Sequence, residues 1–118
     1  MRILIVEDEQ ILTQVLKEKF KVKTAIDGKE ALSMTERFKP DLILLDIILP
    51  KKSGFEVLKE LKSDVKLSKI PVIIMSNLSA DENIKKGLAL GAKDYLVKTQ
   101  HPINEIVDKV KEALAKSR

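Results

Sequence analysis

Four places in the sequence set a chemically capable side chain directly after a short apolar run. Glu7, Asp8 and Glu9 follow Ile3-Leu4-Ile5-Val6. Asp46 follows Leu42-Ile43-Leu44-Leu45. Ser76 and Asn77 follow the run from Ile70 to Met75, and Lys98 follows Tyr95-Leu96-Val97. Together they offer two or three carboxylates, a hydroxyl and an ammonium. Crowded carboxylates repel, and burial raises their pKa values unless a cation joins them. An oxygen-only ligand set with open positions suits Mg2+, which keeps waters and takes phosphate oxygens into its shell. Lys98 and the Ser76 hydroxyl can hold further phosphate oxygens through charge-assisted bonds. Such a set equips a site for phosphoryl transfer, where positioning and charge neutralisation do most of the work. A carboxylate that attacks phosphorus becomes an acyl phosphate. Singly, each residue has a plainer role: the acidic group as a solvated turn or helix-start charge, Asp46 as a loop cap, Ser76 and Asn77 as turn residues, Lys98 as a surface lysine. Chemistry requires one fold that brings all four places together.

The apolar runs read as strands: 3–6 (β1), 22–26 (β2), 42–45 (β3), 70–75 (β4) and 95–97 (β5). Most are continuous rather than alternating, as in a parallel sheet buried on both faces. The segments between them have helical spacing. Residues 28–38 put Ala31, Leu32, Thr35 and Phe38 on one face, and Pro40 bars continuation (α2). Residues 54–62 carry Phe55, Val57, Leu58 and Leu61 (α3). Ser79 and Glu82 form a capping-box pattern ahead of Ile84, Leu88 and Leu90, and Gly91 suits the C-terminal cap (α4). Residues 103–116 place Ile103, Ile106, Val107, Val110 and Leu114 together, with His101 as N-cap and Pro102 in the first helical position (α5). A first helix (α1) begins after the acidic cluster with Ile11, Leu12, Val15 and Leu16 on one face. It has little room before β2: either it stops near Lys17, or residues are absent from this sequence.

Alternating strands and helices with right-handed crossovers give an α/β fold. The expected form is a single doubly wound five-stranded parallel sheet of order 2-1-3-4-5, flavodoxin-like, with helices on both faces. Ligands of such sheets sit outside the carboxyl ends of the strands. In that order β1, β3, β4 and β5 are contiguous, so their four end groups converge, while β2 ends in the turn signal Asp27-Gly28.

The 118 residues make one domain, 1–118, large enough to bury roughly two-thirds of its unfolded surface. Apolar residues at 44% and charged residues at 34% describe a folded chain rather than a disordered one. No apolar run nears the ~18 residues of a membrane span. With no cysteine, disulfides and thiolate chemistry are excluded, and a cytoplasmic setting fits. The net charge of +4 comes from scattered lysines with few aromatics, which argues against direct nucleic-acid binding. His101 is the only histidine, which argues against a phosphodonor.

The sequence also resembles the receiver domain of two-component response regulators, of the CheY-like kind, over essentially its whole length. The resemblance is carried by Ile3 to Glu9, Ala25 to Leu32, Pro40 to Asp46 with Pro50 and Gly54, Pro71 to Ser76, and Gly91 to Lys98. It implies a phosphorylation-dependent switch rather than an enzyme acting on other molecules. Asp46 would take a phosphoryl group from a phosphohistidine on a sensor histidine kinase or phosphotransfer protein. Asp8 and Asp46 would ligate Mg2+ with the backbone carbonyl of Ile48, and Glu7 would act through metal-bound water. Lys98 would pair with the phosphoryl group, Ser76 would swing to bond it, and Tyr95 would turn inward. The α4-β5-α5 face would then engage a downstream protein or a second copy, the chain being a monomer or a weak phosphorylation-dependent dimer. No output domain is expected, since the sequence stops just after α5.

Departures from the family pattern are equally legible. Thr99 stands where a proline is usual, so the family's cis peptide there is not supported. Ile48 and Leu78, each two residues beyond Asp46 or Ser76, are apolar at positions that tune dephosphorylation, which points to a long-lived phosphoryl state. Lys93 and Asp108 do not follow the charge pattern of the dimer face in the winged-helix subfamily. The alternative to a switch is a pseudo-receiver, the same fold used only as a protein-binding module. Asp8, Asp46 and Lys98 weigh against it; Thr99 and the short α1 region weigh for it. A phosphohydrolase with an aspartate nucleophile would need a second Asp two residues on, whereas Asp8 is followed by Glu9-Gln10.

Overall fold

The computed structural model describes residues 1–6 and 10–116. Its strands are β1 (Arg2–Val6), β2 (Lys21–Ala25), β3 (Leu42–Leu45), β4 (Val72–Ser76) and β5 (Asp94–Val97). All pair in parallel in the order β2-β1-β3-β4-β5, as expected. The helices are α1 (Gln10–Lys17), α2 (Gly28–Phe38), α3 (Gly54–Ser63), α4 (Asp81–Ala89) and α5 (Ile103–Lys116), with 3-10 turns at Leu67–Lys69 and Lys98–Gln100.

The continuous apolar runs are explained by two cores, one on each sheet face. Alternate residues point to opposite faces of a strand. Leu4, Val6, Ile43, Leu45 and Ile74 therefore pack with Val57, Leu58 and Leu61 of α3 and Ala31 of α2. Ile3, Ile5, Leu42, Leu44 and Met75 pack with Leu12 and Leu16 of α1 and Ile106, Val110 and Leu114 of α5. Each such side chain, fully buried, contributes roughly 1.5–3 kcal/mol relative to exposure. Only β2 departs from this: it is an edge strand, with Lys21, Lys23 and Thr24 exposed.

Caps set several boundaries. Asp27 accepts the Glu30 N–H at 2.8 Å and opens α2. That bond, with help from Lys51, holds its carboxyl below the usual carboxylate range. Ser53 caps α3 through the Glu56 N–H. After α4, Gly91 takes φ +109, and its N–H reaches the Leu88 carbonyl at 3.1 Å, the expected terminal role.

Other boundaries differ from the sequence expectation. Between Gln10 and Lys21, α1 ends at Lys17, and the N–H groups of Lys19 and Phe20 turn back onto the Leu16 carbonyl at 3.1 and 2.9 Å. β2 lies one residue earlier than 22–26, leaving Ile26 exposed. β4 runs two residues later than its apolar run begins, so Ser76 closes the strand rather than following it. The capping box at Ser79 does not form. α4 begins at Asp81, after Ala80, with no side-chain cap, because the chain through Leu78 is still hydrogen-bonded at the sheet. Asp81 and Glu82 instead place acidic charge in the first turn, where the helix dipole favours it. Pro102 stands one residue ahead of α5, its carbonyl accepting from Glu105 and Ile106. His101 is not the cap; its Nδ1 lies 2.8 Å from Glu105 Oε1.

Candidate functional site

The carboxyl ends of β1, β3, β4 and β5 are adjacent, so the residues beyond them share one end of the sheet. Register aligns them: Val6 pairs with Leu45, Leu45 with Ile74, and Ser76 with Val97. Asp46 continues that ladder one step, its N–H donating to the Val6 carbonyl at 3.1 Å. Its carboxylate projects from the sheet end and is partly exposed.

Two cationic or polar partners hold that carboxylate. Lys98 Nζ donates to Asp46 Oδ2 at 3.2 Å, across 52 residues of sequence. The Ile48 N–H donates to Oδ1 at 3.2 Å. The side chains of Lys98 and Asp46 are 21% and 18% exposed, so the pair is shielded yet open to a small reactant. Lys98 sits in the 3-10 turn that follows β5, and no cis peptide bond occurs among the described residues, so Lys98–Thr99 is trans.

The loop after β3 is fixed by close backbone approach. The Gly54 N–H donates to the Ile47 carbonyl at 2.7 Å, and a Cβ at Gly54 would run into the Asp46 carbonyl oxygen. Lys51, at φ 68, bends the same loop back, and Pro50 accepts from the Gly28 N–H. The loop thus ties Asp46 to the start of α2 as well as to α3. Ile48, on this loop, is 66% exposed beside the carboxylate.

Ser76 is wholly buried, its Oγ accepting the Leu78 N–H at 3.1 Å. Tyr95 is also buried, and its phenol donates to the Leu78 carbonyl at 2.8 Å. The Ser76 hydroxyl is a neighbour of that phenol. Burial raises the pKa of Tyr95; the Ser76 contact works against that rise, and the charge of Asp46 adds to it. Gly87 of α4 lets the helix close on Ile74 and Tyr95, since a Cβ there would meet Ile74 Cδ1 at 2.6 Å and Tyr95 Cδ2 at 3.1 Å.

The structure thus brings together Asp46, Lys98 and Ile48 as one group, and Ser76 and Tyr95 as a second, linked through Leu78. Glu7 and Asp8 lie outside the described residues. Among the described residues no group of three or more His, Asp or Glu side chains stands ready for a metal. The backbone of Leu78 was missed by sequence reasoning, which weighed only its side chain. The signal was present in spacing: a residue two beyond a hydroxyl can donate its N–H to it. Among the described residues no helix is long and apolar enough to cross a membrane.

Residues 3–111 match the response regulator receiver domain family. PhoP of Bacillus subtilis, the alkaline phosphatase synthesis transcriptional regulatory protein, is 39% identical over 98% of this chain and 49% of its own length. Response regulator PleD of Caulobacter vibrioides is 38% identical over 90% of this chain and 24% of its own length. The chain therefore spans about a quarter to a half of these relatives. Among solved structures, a CheY-like receiver domain protein from Methanospirillum hungatei superposes with TM-score 0.88 at 29% identity, covering 98% of this chain and 94% of its own.

Proposed function

The chain belongs to the response regulator receiver domain family, and on that premise we propose that Asp46 is the phosphoryl acceptor of a signalling switch. The observation that carries this reading is the Asp46 carboxylate set at contiguous strand ends with Lys98 Nζ 3.2 Å away. A carboxylate oxygen of Asp46 attacks the phosphorus of a phosphohistidine on a sensor kinase or phosphotransfer protein. The P–N bond breaks, and its electron pair leaves on the imidazole nitrogen. Lys98, already at the carboxylate, is placed to neutralise an oxygen of the incoming group.

The donor set fits Mg2+ in chemistry: the Asp46 carboxylate is a hard oxygen donor, partly exposed, and Asp8, the Ile48 backbone carbonyl and Glu7 through water would complete the protein's share. When bound, the ion neutralises charge on the transferring phosphoryl oxygens. The residues that read the new charge are Ser76 and Tyr95. Phosphorylation adds negative charge beside a serine now bonded to Leu78, and exchanging that bond for one to a phosphoryl oxygen would release the Leu78 N–H. Leu78 also holds the Tyr95 phenol, so the change reaches β5 and, through Gly87, α4. The α4-β5-α5 face is thereby the proposed output surface, for a downstream protein or a weak dimer. The exposed Ile48 and half-buried Leu78 flank the path of an attacking water, which favours a slow loss of the phosphoryl group.

Intact-protein mass after incubation with Mg2+ and acetyl phosphate tests the acceptor. The native chain should gain one phosphoryl mass and Asp46→Asn none. No gain from acetyl phosphate or from a phosphohistidine donor, in a folded protein, would overturn the reading and favour a binding-only receiver.

A further inference from the structure

Helix α4 is lightly held. Of its nine residues it buries one, Gly87, and its first turn has no side-chain cap. By contrast, α3 buries Gly54, Val57, Leu58 and Leu61. Ile84 and, just past the helix, Leu90 reach the core only in part. The C-terminal end is seated. A Cβ at Gly91 would meet Lys62 Cγ of α3 at 3.1 Å, and the Ala92 N–H donates to the Gly87 carbonyl at 3.1 Å. The earlier turns depend on what their side chains touch.

One of those side chains crosses to α3. The Lys86 ammonium lies over the ring of Phe55, 4.6 Å from its centroid. Glu82 stands four residues earlier, the favourable spacing for an ion pair within one helix, yet the amino group is directed to a ring on another helix. A cation so placed is attracted by the negative face of the ring. Both partners are set by their neighbours. Phe55 packs against the core and follows Gly54, whose N–H donates to the Ile47 carbonyl at 2.7 Å in the loop that carries Asp46. Lys86 precedes Gly87, where the helix meets Ile74 and Tyr95.

We propose that Lys86 is a positioning residue: through the Phe55 ring it holds α4 against α3 and keeps the helix closed over Tyr95. The pair is a second tie between the Asp46 loop and α4, separate from the route through Ser76, Leu78 and Tyr95. That this tie bears on signal output rests on Asp46 being the acceptor. The contact itself does not, so it is tested on the chain without phosphodonor.

Amide-resolved hydrogen exchange measures how readily α4 opens, and acrylamide quenching of Tyr95 fluorescence reports how well the helix covers the phenol. Lys86→Gln removes the cation at an exposed position. Such a contact at an exposed site is worth about two- to fivefold in an equilibrium. The amides from Asn83 to Ala89 should therefore exchange faster by that factor, while those from Leu42 to Leu45 in β3 keep native rates. Tyr95 should become more open to acrylamide. Lys86→Arg should behave as native, because a guanidinium also binds a ring face. In a Phe55→Leu background, Lys86→Gln should add no further change, since the ring has already gone. This pattern in a chain that takes up no phosphoryl group would still establish the tie while removing the acceptor reading. Native α4 exchange in Lys86→Gln, equal acceleration in α4 and β3, failure of Lys86→Arg to keep native exchange, or a further change in the Phe55→Leu background would overturn the proposal.

Discussion

The phenol of Tyr95 donates to the backbone carbonyl of Leu78 at 2.8 Å, while the N–H of the same Leu78 donates to Ser76 at 3.1 Å. One peptide segment thus ties the strand next to the proposed acceptor to the strand on the proposed output face. Moving the Leu78 segment strains both bonds at once.

Tyr95 reports on this link, being the only tyrosine in a chain with no tryptophan. Burial, with the charge of Asp46, holds its pKa above the ordinary 10.0. An ultraviolet titration should find its midpoint above that value, and Asp46→Asn should move the midpoint down. The unfolded phenol loses its proton first, so this group's contribution to stability falls as pH rises above about 10. A midpoint unmoved by Asp46→Asn would separate Tyr95 from the acceptor.

Lys98→Ala divides stability from chemistry. The pair with Asp46 is partly solvated, so its loss should change unfolding free energy by no more than about 1 kcal/mol. Phosphoryl uptake from acetyl phosphate should slow by about a hundredfold or more, as expected when charge stabilisation of a transferring group is removed. An uptake rate within a few-fold of native would take Lys98 out of the site.

Mg2+ at about ten times its dissociation constant should add roughly 1.4 kcal/mol to stability by mass action. The melting temperature should rise through a Mg2+ titration and return after EDTA. Asp46→Asn should blunt the rise, and a flat native response would remove the metal from the proposal.

Lys62 gives a pH test away from the site. Its ammonium donates to the carbonyls of Ser68 and Ile70 at 3.0 and 3.1 Å, and desolvation lowers its pKa from the ordinary 10.5. A base with a lowered folded pKa binds fewer protons folded than unfolded across the interval up to 10.5, so stability gains with pH there. The native protein should therefore gain on Lys62→Met as pH rises towards 10.5, measured by urea unfolding of both. A constant difference would mean that Lys62 is as well solvated folded as unfolded.

Gly54→Ala should be costly despite adding one methyl group. Its Cβ meets the backbone at Asp46 and Ile47, which cannot yield as a side chain can. A loss of about 3 kcal/mol is expected, with slower phosphoryl uptake because Asp46 is displaced. A variant as stable as native would show that the loop is less tightly seated.

The order of elements, the parallel sheet and the meeting of Asp46 with Lys98 were legible because each depends on a local pattern. Continuous runs such as Leu42 to Leu45 mark strands buried on both faces, and chemistry-bearing residues stand just past their ends. The family resemblance added roles for those same positions. Less legible were boundaries at which local signals compete with tertiary bonds. Ser79 and Glu82 have the spacing of a capping box, yet the helix starts at Asp81, because Ser76 and Tyr95 hold the Leu78 peptide at the sheet.

By itself, then, the sequence determined which residues face the two cores and which stand at the carboxyl ends of the strands, since periodicity and chain order dictate both. Only the tertiary structure decided that Ser79 does not cap α4 and that Leu78 joins Ser76 to Tyr95 by its backbone. These depend on contacts between residues distant in the chain. Backbone hydrogen bonds of that kind leave no periodic trace in the residues between them.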